Sequence, residues 1–250
     1  VTENQGCSKR SGKVLSALIL GAALVWSSSI VADRFREVKL AQQVLTVKGL
    51  AEKSINSNLG VWRGSFAVER TTVPEGYSAL QSDTQKVQTL LGALGVKPET
   101  IEFGAIQYAA VYKLSPEGVE MRNEVLRYNV NRPFVVTSTD VPLIQRVAKE
   151  SSALLKEGVG FYSSPPEYHY TGLDSLKIEM LGEAARDAKV RAERLASSTG
   201  NAVGALRGAQ QGVFQITSEY SGSVSDYGEF DTSSLVKKIK AVVTMQFAIK

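Results

Sequence analysis

One cysteine and one histidine are all that the 250 residues hold of the side chains on which most metal and redox sites depend. With Cys7 alone, an intrachain disulfide framework and every CxxC zinc or redox motif are excluded. With His169 alone, HExxH is excluded, as is any site needing two imidazoles, and a Ser-His-Asp triad could use only that residue. A strong charge of one sign is lacking too. The net charge is +4, and the first thirteen residues set Lys9, Arg10 and Lys13 against Glu3, so half of the excess belongs to that tail. Bulk charge therefore gives no case for nucleic acid. Gly200, Gly204, Gly208 and Gly212 recur at four-residue steps but form neither GxGxxG nor a P-loop, and no GK[ST] occurs, which disfavours nucleotide binding. A helix stop followed by a bulged strand accounts for them. What is present is a globular composition, 43% hydrophobic and 22% charged, long enough for one large domain or two small ones.

The strongest physical signal lies near the start. Residues 14–32 (VLSALILGAALVWSSSIVA) carry no charge, and as a helix they would reach about 28 Å, close to the hydrocarbon thickness of a bilayer. Val14, Leu18 and Leu24 supply apolar surface, Trp26 suits the interfacial belt, and the run closes at Ala32. Its serines can bond back to the i−4 carbonyl, and Ala17 with Gly21 makes one small-xxx-small pair. Lys9, Arg10 and Lys13 precede the run, whereas the DRFRE that follows is balanced, so the positive-inside rule places the N-terminus in the cytoplasm. A cleaved signal peptide is the competing reading. The run is longer than an h-region, and Ile30-x-Ala32 is a poor cleavage pattern, so an uncleaved anchor is favoured. Cys7 precedes the run and cannot be a lipobox cysteine; a free thiol or a palmitoylation site are its two readings. The chain is thus expected to divide into a cytoplasmic tail (1–13), a transmembrane anchor (14–32), a linker (33–43) and an exported domain (44–250).

In the exported part the pattern turns to alternation and stripes. Strands are predicted over 44–50, 59–68, 101–114, 124–137, 203–218 and 235–250, with 159–170 extended but interrupted at Pro165-Pro166 and hence at a sheet edge. Helices are predicted over 78–94, from Val141 (capped by Asp140, with Pro142 in the first turn) to about Glu157, and from Leu173 to Leu195 ahead of a Gly200-Asn201 stop. The last helix has an alanine-rich buried face (Ala184, Ala185, Ala188, Ala192) that permits close approach to a sheet. The fold class is α+β, with long, mostly antiparallel strands and about three helices behind one transmembrane helix.

In their order along the chain, four segments resemble the SIMPL-domain family of bacterial exported proteins. They are LTVKGLAEKSINSNLGVWRGSFAV (45–68), LKIEMLGEAARDAKVRAERLASSTGNAVGALR (176–207), GVFQIT (212–217) and DTSSLVKKIKAVV (231–243), and the last two look like a membrane-anchored branch of it. The resemblance covers residues 44–250. It implies a periplasmic or envelope location and, from some members, assembly into closed rings. It supplies no reaction and no catalytic residue, because the family has none agreed.

Candidate chemistry is sparse. Glu167 and His169 share a strand face by alternation, so His169 could act as a general base or metal ligand beside the carboxylate; the alternative is an aromatic edge strand packed on a neighbour. Asp226, Glu229 and Asp231 crowd the loop SEYSGSVSDYGEFD, an oxygen-rich segment conceivable for calcium though not at EF-hand spacing; the alternative is an exposed loop touching a neighbouring subunit. Tyr220, Tyr227 and Phe230 favour that contact, and Trp62 and Tyr168 are further candidates for subunit contact, Trp62 reading as a core or contact residue in preference to a ligand platform. No catalytic residue, bound metal or cofactor is expected. The expected partners are a second copy of the chain, the bilayer and other envelope proteins, not nucleic acid. The functional expectation is a non-enzymatic, inner-membrane-anchored protein that self-assembles through its exported domain into a ring or cage. The alternative is a periplasmic small-molecule- or metal-binding protein or an uncharacterised envelope enzyme.

Overall fold

The computed structural model describes residues 21, 27, 28, 43–223 and 225–250. The tail, the anchor and the linker expected over 1–43 lie outside the described residues, save Gln43 and the helical Gly21, Ser27 and Ser28. Among the described residues no helix is long and apolar enough to cross a membrane. What is described is a mixed α+β protein, and the stretch read as one domain divides into two compact units.

The larger unit comprises Glu52–Met180 and Val213–Ala241. Its centre is the antiparallel pair β2 (Leu59–Arg70) and β5 (Glu120–Ser138), in register from Gly60↔Ser138 to Arg70↔Tyr128. The outer side of β5 takes β3 (Ile101–Phe103) and β4 (Gln107–Leu114), and the outer side of β2 takes β6 (Gly160–Ser163) and β7 (Glu167–His169). Two helices, α1 (Val73–Ala93) and α2 (Val141–Glu150), and the one-turn α3 (Ala153–Lys156) complete the core. Trp62, Phe66, Phe134, Leu80, Leu91 and Ile144 are fully buried there, with the Trp62 and Phe134 rings edge to face at 5.4 Å.

Several boundaries differ from the sequence expectation, each for a local reason. α1 begins at Val73 rather than Ser78: the Glu75 amide donates to the Thr72 hydroxyl and Pro74 occupies the first turn, a capping arrangement written in TTVPE. The strand expected over 101–114 is two strands, because Pro133 interrupts the facing edge of β5. Proline has no N–H to offer, and Gly104 folds across it, its amide donating to the Pro133 carbonyl at 2.9 Å. The helix expected to reach Glu157 breaks after Glu150, where the Ser151 hydroxyl bonds the Ala148 carbonyl. The Asp140 cap is present, accepting from the Leu143 amide at 3.1 Å.

The smaller unit comprises the described residues of Val1–Ala51, with Leu181–Gly212 and Val242–Lys250. It holds the first part of β1 (Val44–Asn56), the later part of α4 (Leu173–Ser198), β8 (Val203–Gln211) and the end of β11 (Val236–Ile249). β11 pairs antiparallel with β8, from Val243↔Gln211 to Ile249↔Val203. Of the alanine face expected on α4, Ala184, Ala188 and Ala192 are fully buried, whereas Ala185 is only half-buried. The stripe advances in steps of four, so Ala196 is buried and Leu195 is exposed. Gly49 is where β1 meets that face: a Cβ there would overlap the Ala184 carbonyl oxygen and lie 2.7 Å from the Ala188 Cβ. Gly200, at φ +75°, ends the helix in the left-handed region. The strand expected over 203–218 stops at Gln211. It resumes in the larger unit as β9 (Gln215–Ser218), which pairs with β11 over Lys237–Lys240 and with a two-residue parallel partner, β10 (Glu229–Phe230).

Candidate functional site

The two constellations singled out in the sequence both fall in the larger unit, and both are engaged in structural interactions. On β7 the His169 Nε2 lies 3.4 Å from the Glu167 carboxylate, the pairing that strand alternation allows. The other Glu167 oxygen is held at 2.6 Å by Arg63 of β2, and that hydrogen bond keeps the carboxyl below its ordinary range. A carboxylate so committed is a weak base. Beside it runs a cleft of about 580 Å³ lined by Gln145, Lys149, Ser163, Ser164, Pro165 and Tyr168. Tyr168 faces it, whereas Glu167 and His169, its neighbours on β7, project to the opposite side. The acid–imidazole pair is therefore not in the cleft. Ser163 is no free nucleophile either: its hydroxyl accepts from the Trp62 indole at 3.0 Å and donates to the Ser164 carbonyl.

The acidic loop is likewise resolved into separate tasks. Asp226 is exposed, and Glu229 is part-buried with one carboxylate oxygen that meets no hydrogen-bond donor among the described residues. Asp231 accepts at Oδ1 from the Ser233 amide at 2.8 Å, the Ser233 hydroxyl at 2.7 Å and the Ser234 amide at 3.3 Å. Its other oxygen lies 3.5 Å from Lys237 Nζ. Among the described residues no three His, Cys, Asp or Glu side chains gather to hold a metal ion. Burial opposes ionisation of Asp231, but the Ser234 and Ser233 hydrogen bonds and the Lys237 charge outweigh it and hold the carboxyl well below its usual range. Burial lowers the Lys237 pKa, and Asp231 restores only part of it. Both values are lowered, which favours the charged form of the acid and disfavours that of the ammonium. The acid gains more, because it has three donors and the ammonium has one distant carboxylate.

Of the five aromatic residues offered as subunit contacts, two prove to be core residues instead. Trp62 is 0% and Tyr168 5% exposed, because both stand on the helix-covered face of the sheet. Tyr220 and Tyr227, at 93% and 97%, and Phe230 are exposed. Sequence reasoning missed Arg63 and Lys237. Arg63 could not be paired with Glu167 before the β2–β7 register was known. Lys237 did leave a signal: counting back by two from Val243, Ala241 and Ile239 puts it on the apolar face of β11, where it is buried.

The strand edges of the larger unit are unequal. β7 and β6 are separated by Pro165-Pro166, which blocks continuous pairing on that side. On the other side β4 meets only β5 among the described residues. β2 accompanies β5 only from Tyr128 onward, so β4 residues 107–110 border the three-stranded part, and residues 111–114 with 120–127 form a two-stranded arm.

Residues 45–247 match the family model SIMPL, described as "Protein of unknown function (DUF541)". No curated protein matches the chain.

Proposed function

Because the chain belongs to the SIMPL family, we propose that it is a membrane-anchored envelope protein that self-assembles through its exported domain into a ring- or cage-like homo-oligomer with a structural or interaction role. In this reading residues 14–32 cross the inner membrane once, the basic tail stays in the cytoplasm and residues 44–250 stand outside it. The role is non-enzymatic and calls for no cofactor. The observation that carries the reading is strand β4 (residues 107–114), which pairs with β5 alone and leaves a row of backbone groups unpaired on its outer side among the described residues. Such an edge is a template for another chain. The exposed Tyr220, Tyr227 and Phe230 add contact surface of the kind enriched at interfaces.

The cleft beside Tyr168 favours a second reading, a periplasmic small-molecule-binding protein, since Lys149 and Gln145 could orient a polar ligand over an aromatic floor. Co-expression of two differently tagged full-length copies separates the two. Recovery of one tag with the other supports self-assembly; separate recovery of the two, with thermal stabilisation by small envelope solutes, supports the ligand-binding reading instead.

A further inference from the structure

We infer that β4 is the contact through which two copies of this chain pair, edge to edge and antiparallel, about a two-fold axis at Ala110. The inference rests on the self-assembly reading and names its interface. A two-stranded hairpin is marginal by itself in water, yet this arm extends past β2 and leaves the apolar side chains of Leu114 and Val119 exposed, and Tyr108, on β4 beside the end of β2, is exposed as well. The hairpin's two outer edges differ. The β5 side carries Glu120, Arg122, Glu124 and Arg127, and the extra residues at both register shifts of the hairpin, Leu126 and residues 122–124, fall on β5. Charges and bulges are the devices by which an edge is closed to pairing. β4 has neither proline nor glycine, has no extra residue, and has a single charge, Lys113, which is held by Glu124 across the hairpin at 2.9 Å.

Self-pairing of such a strand is constrained by geometry. Residues opposite each other in an antiparallel pair project to the same face, so a two-fold axis normal to the sheet must bring one residue opposite its own copy. Centring on Ala110 puts a small side chain at the axis and sets Ala109 against Val111, Tyr108 against Tyr112 and Gln107 against Lys113. No charge then meets a like charge, and aromatic cross-strand pairs flank the axis. Tyr108 is already oriented by an edge-to-face contact with Tyr128 at 6.4 Å. A two-fold contact closes on itself, so a larger ring uses a second interface, for which the aromatic loop around Tyr227 is available.

The test uses the full-length chain in detergent with Cys7→Ser, carrying a cysteine in place of either Ala110 or Val119. Directly opposed residues lie within disulfide reach. Oxidation is expected to convert Ala110→Cys largely to a covalent dimer and to leave Val119→Cys, at the far end of the arm, uncrosslinked. Ala110→Lys, which opposes two ammonium groups across the axis, is expected to lose that contact while keeping its circular dichroism. Failure of Ala110→Cys to crosslink in a parent chain that still assembles overturns the edge assignment and leaves self-assembly standing. Equal crosslinking at both positions overturns it too, as random collision. A monomeric parent chain overturns both.

Discussion

At the scale of single residues, the Asp231–Lys237 pair shows how an acidic loop becomes structural. Lys237 interrupts an otherwise apolar strand face, and Asp231 is both its counter-ion and the acceptor for the turn at Ser233 and Ser234. Removing one partner of a buried pair leaves the other charge uncompensated, at a cost of about 3–5 kcal/mol, whereas replacing both is often close to neutral. Asp231→Ala is therefore expected to lower unfolding stability by about 3 kcal/mol, with most of it regained in Asp231→Ala/Lys237→Met; urea denaturation followed by circular dichroism reads both. Equal losses in the single and double variants would show that the serine turn, not the pair, carries the energy. The pH dependence has a definite sign. The folded Asp231 carboxyl sits below its unfolded value, so its contribution is full above about pH 4 and is lost as pH falls toward the folded value. Lys237 acts in the opposite range: its lowered pKa means that burial of the charge costs stability until alkaline pH neutralises it. Asp231→Asn should accordingly flatten the acid limb of the stability profile; an unchanged limb would contradict the assignment.

At the scale of elements, the close contact between β1 and α4 depends on residues with little or no side chain. Gly49 has no room for a Cβ, and the atoms it would meet include helix backbone. The same contact is fastened by Asp187, which accepts from the Leu50 amide at 2.8 Å and from Arg191 at 2.7 Å. Gly49→Ala is expected to cost about 1–3 kcal/mol or more through overpacking, read as a drop in melting temperature; an unchanged value would mean that the helix can move aside freely. The alanine stripe and the glycine stop of this helix were legible in the sequence because both depend on local spacing. So were the Asp140 cap and the edge position of 159–170. What was not legible depends on partners distant in the chain. Pro133 splits β3 from β4 by failing to donate across the sheet, and nothing within 101–114 announces it. The burial of Trp62 and Tyr168 follows from which face of the sheet α1 and α2 cover, and aromatic identity alone could not decide between core and contact. At the candidate site, alternation paired Glu167 with His169, but Arg63, the group that commits the carboxylate, lies 104 positions away.

At the scale of the whole molecule, the account joins an apolar run of residues 14–32 to a larger unit whose strand β4 has an unpaired outer edge among the described residues. Topology is checked with the chain's own cysteine. In intact spheroplasts a membrane-impermeant maleimide is expected to leave Cys7 unlabelled until the membrane is opened, and to label Tyr220→Cys in a Cys7→Ser background at once. The reverse pattern would contradict the orientation drawn from Lys9, Arg10 and Lys13. The central claim is that assembly resides in the exported domain, and light scattering tests it most directly, comparing the detergent-solubilised full-length chain of 27.0 kDa with a shortened form beginning at Gln42. The account predicts a discrete assembly of several copies for both; a monomeric mass for the shortened form would contradict it.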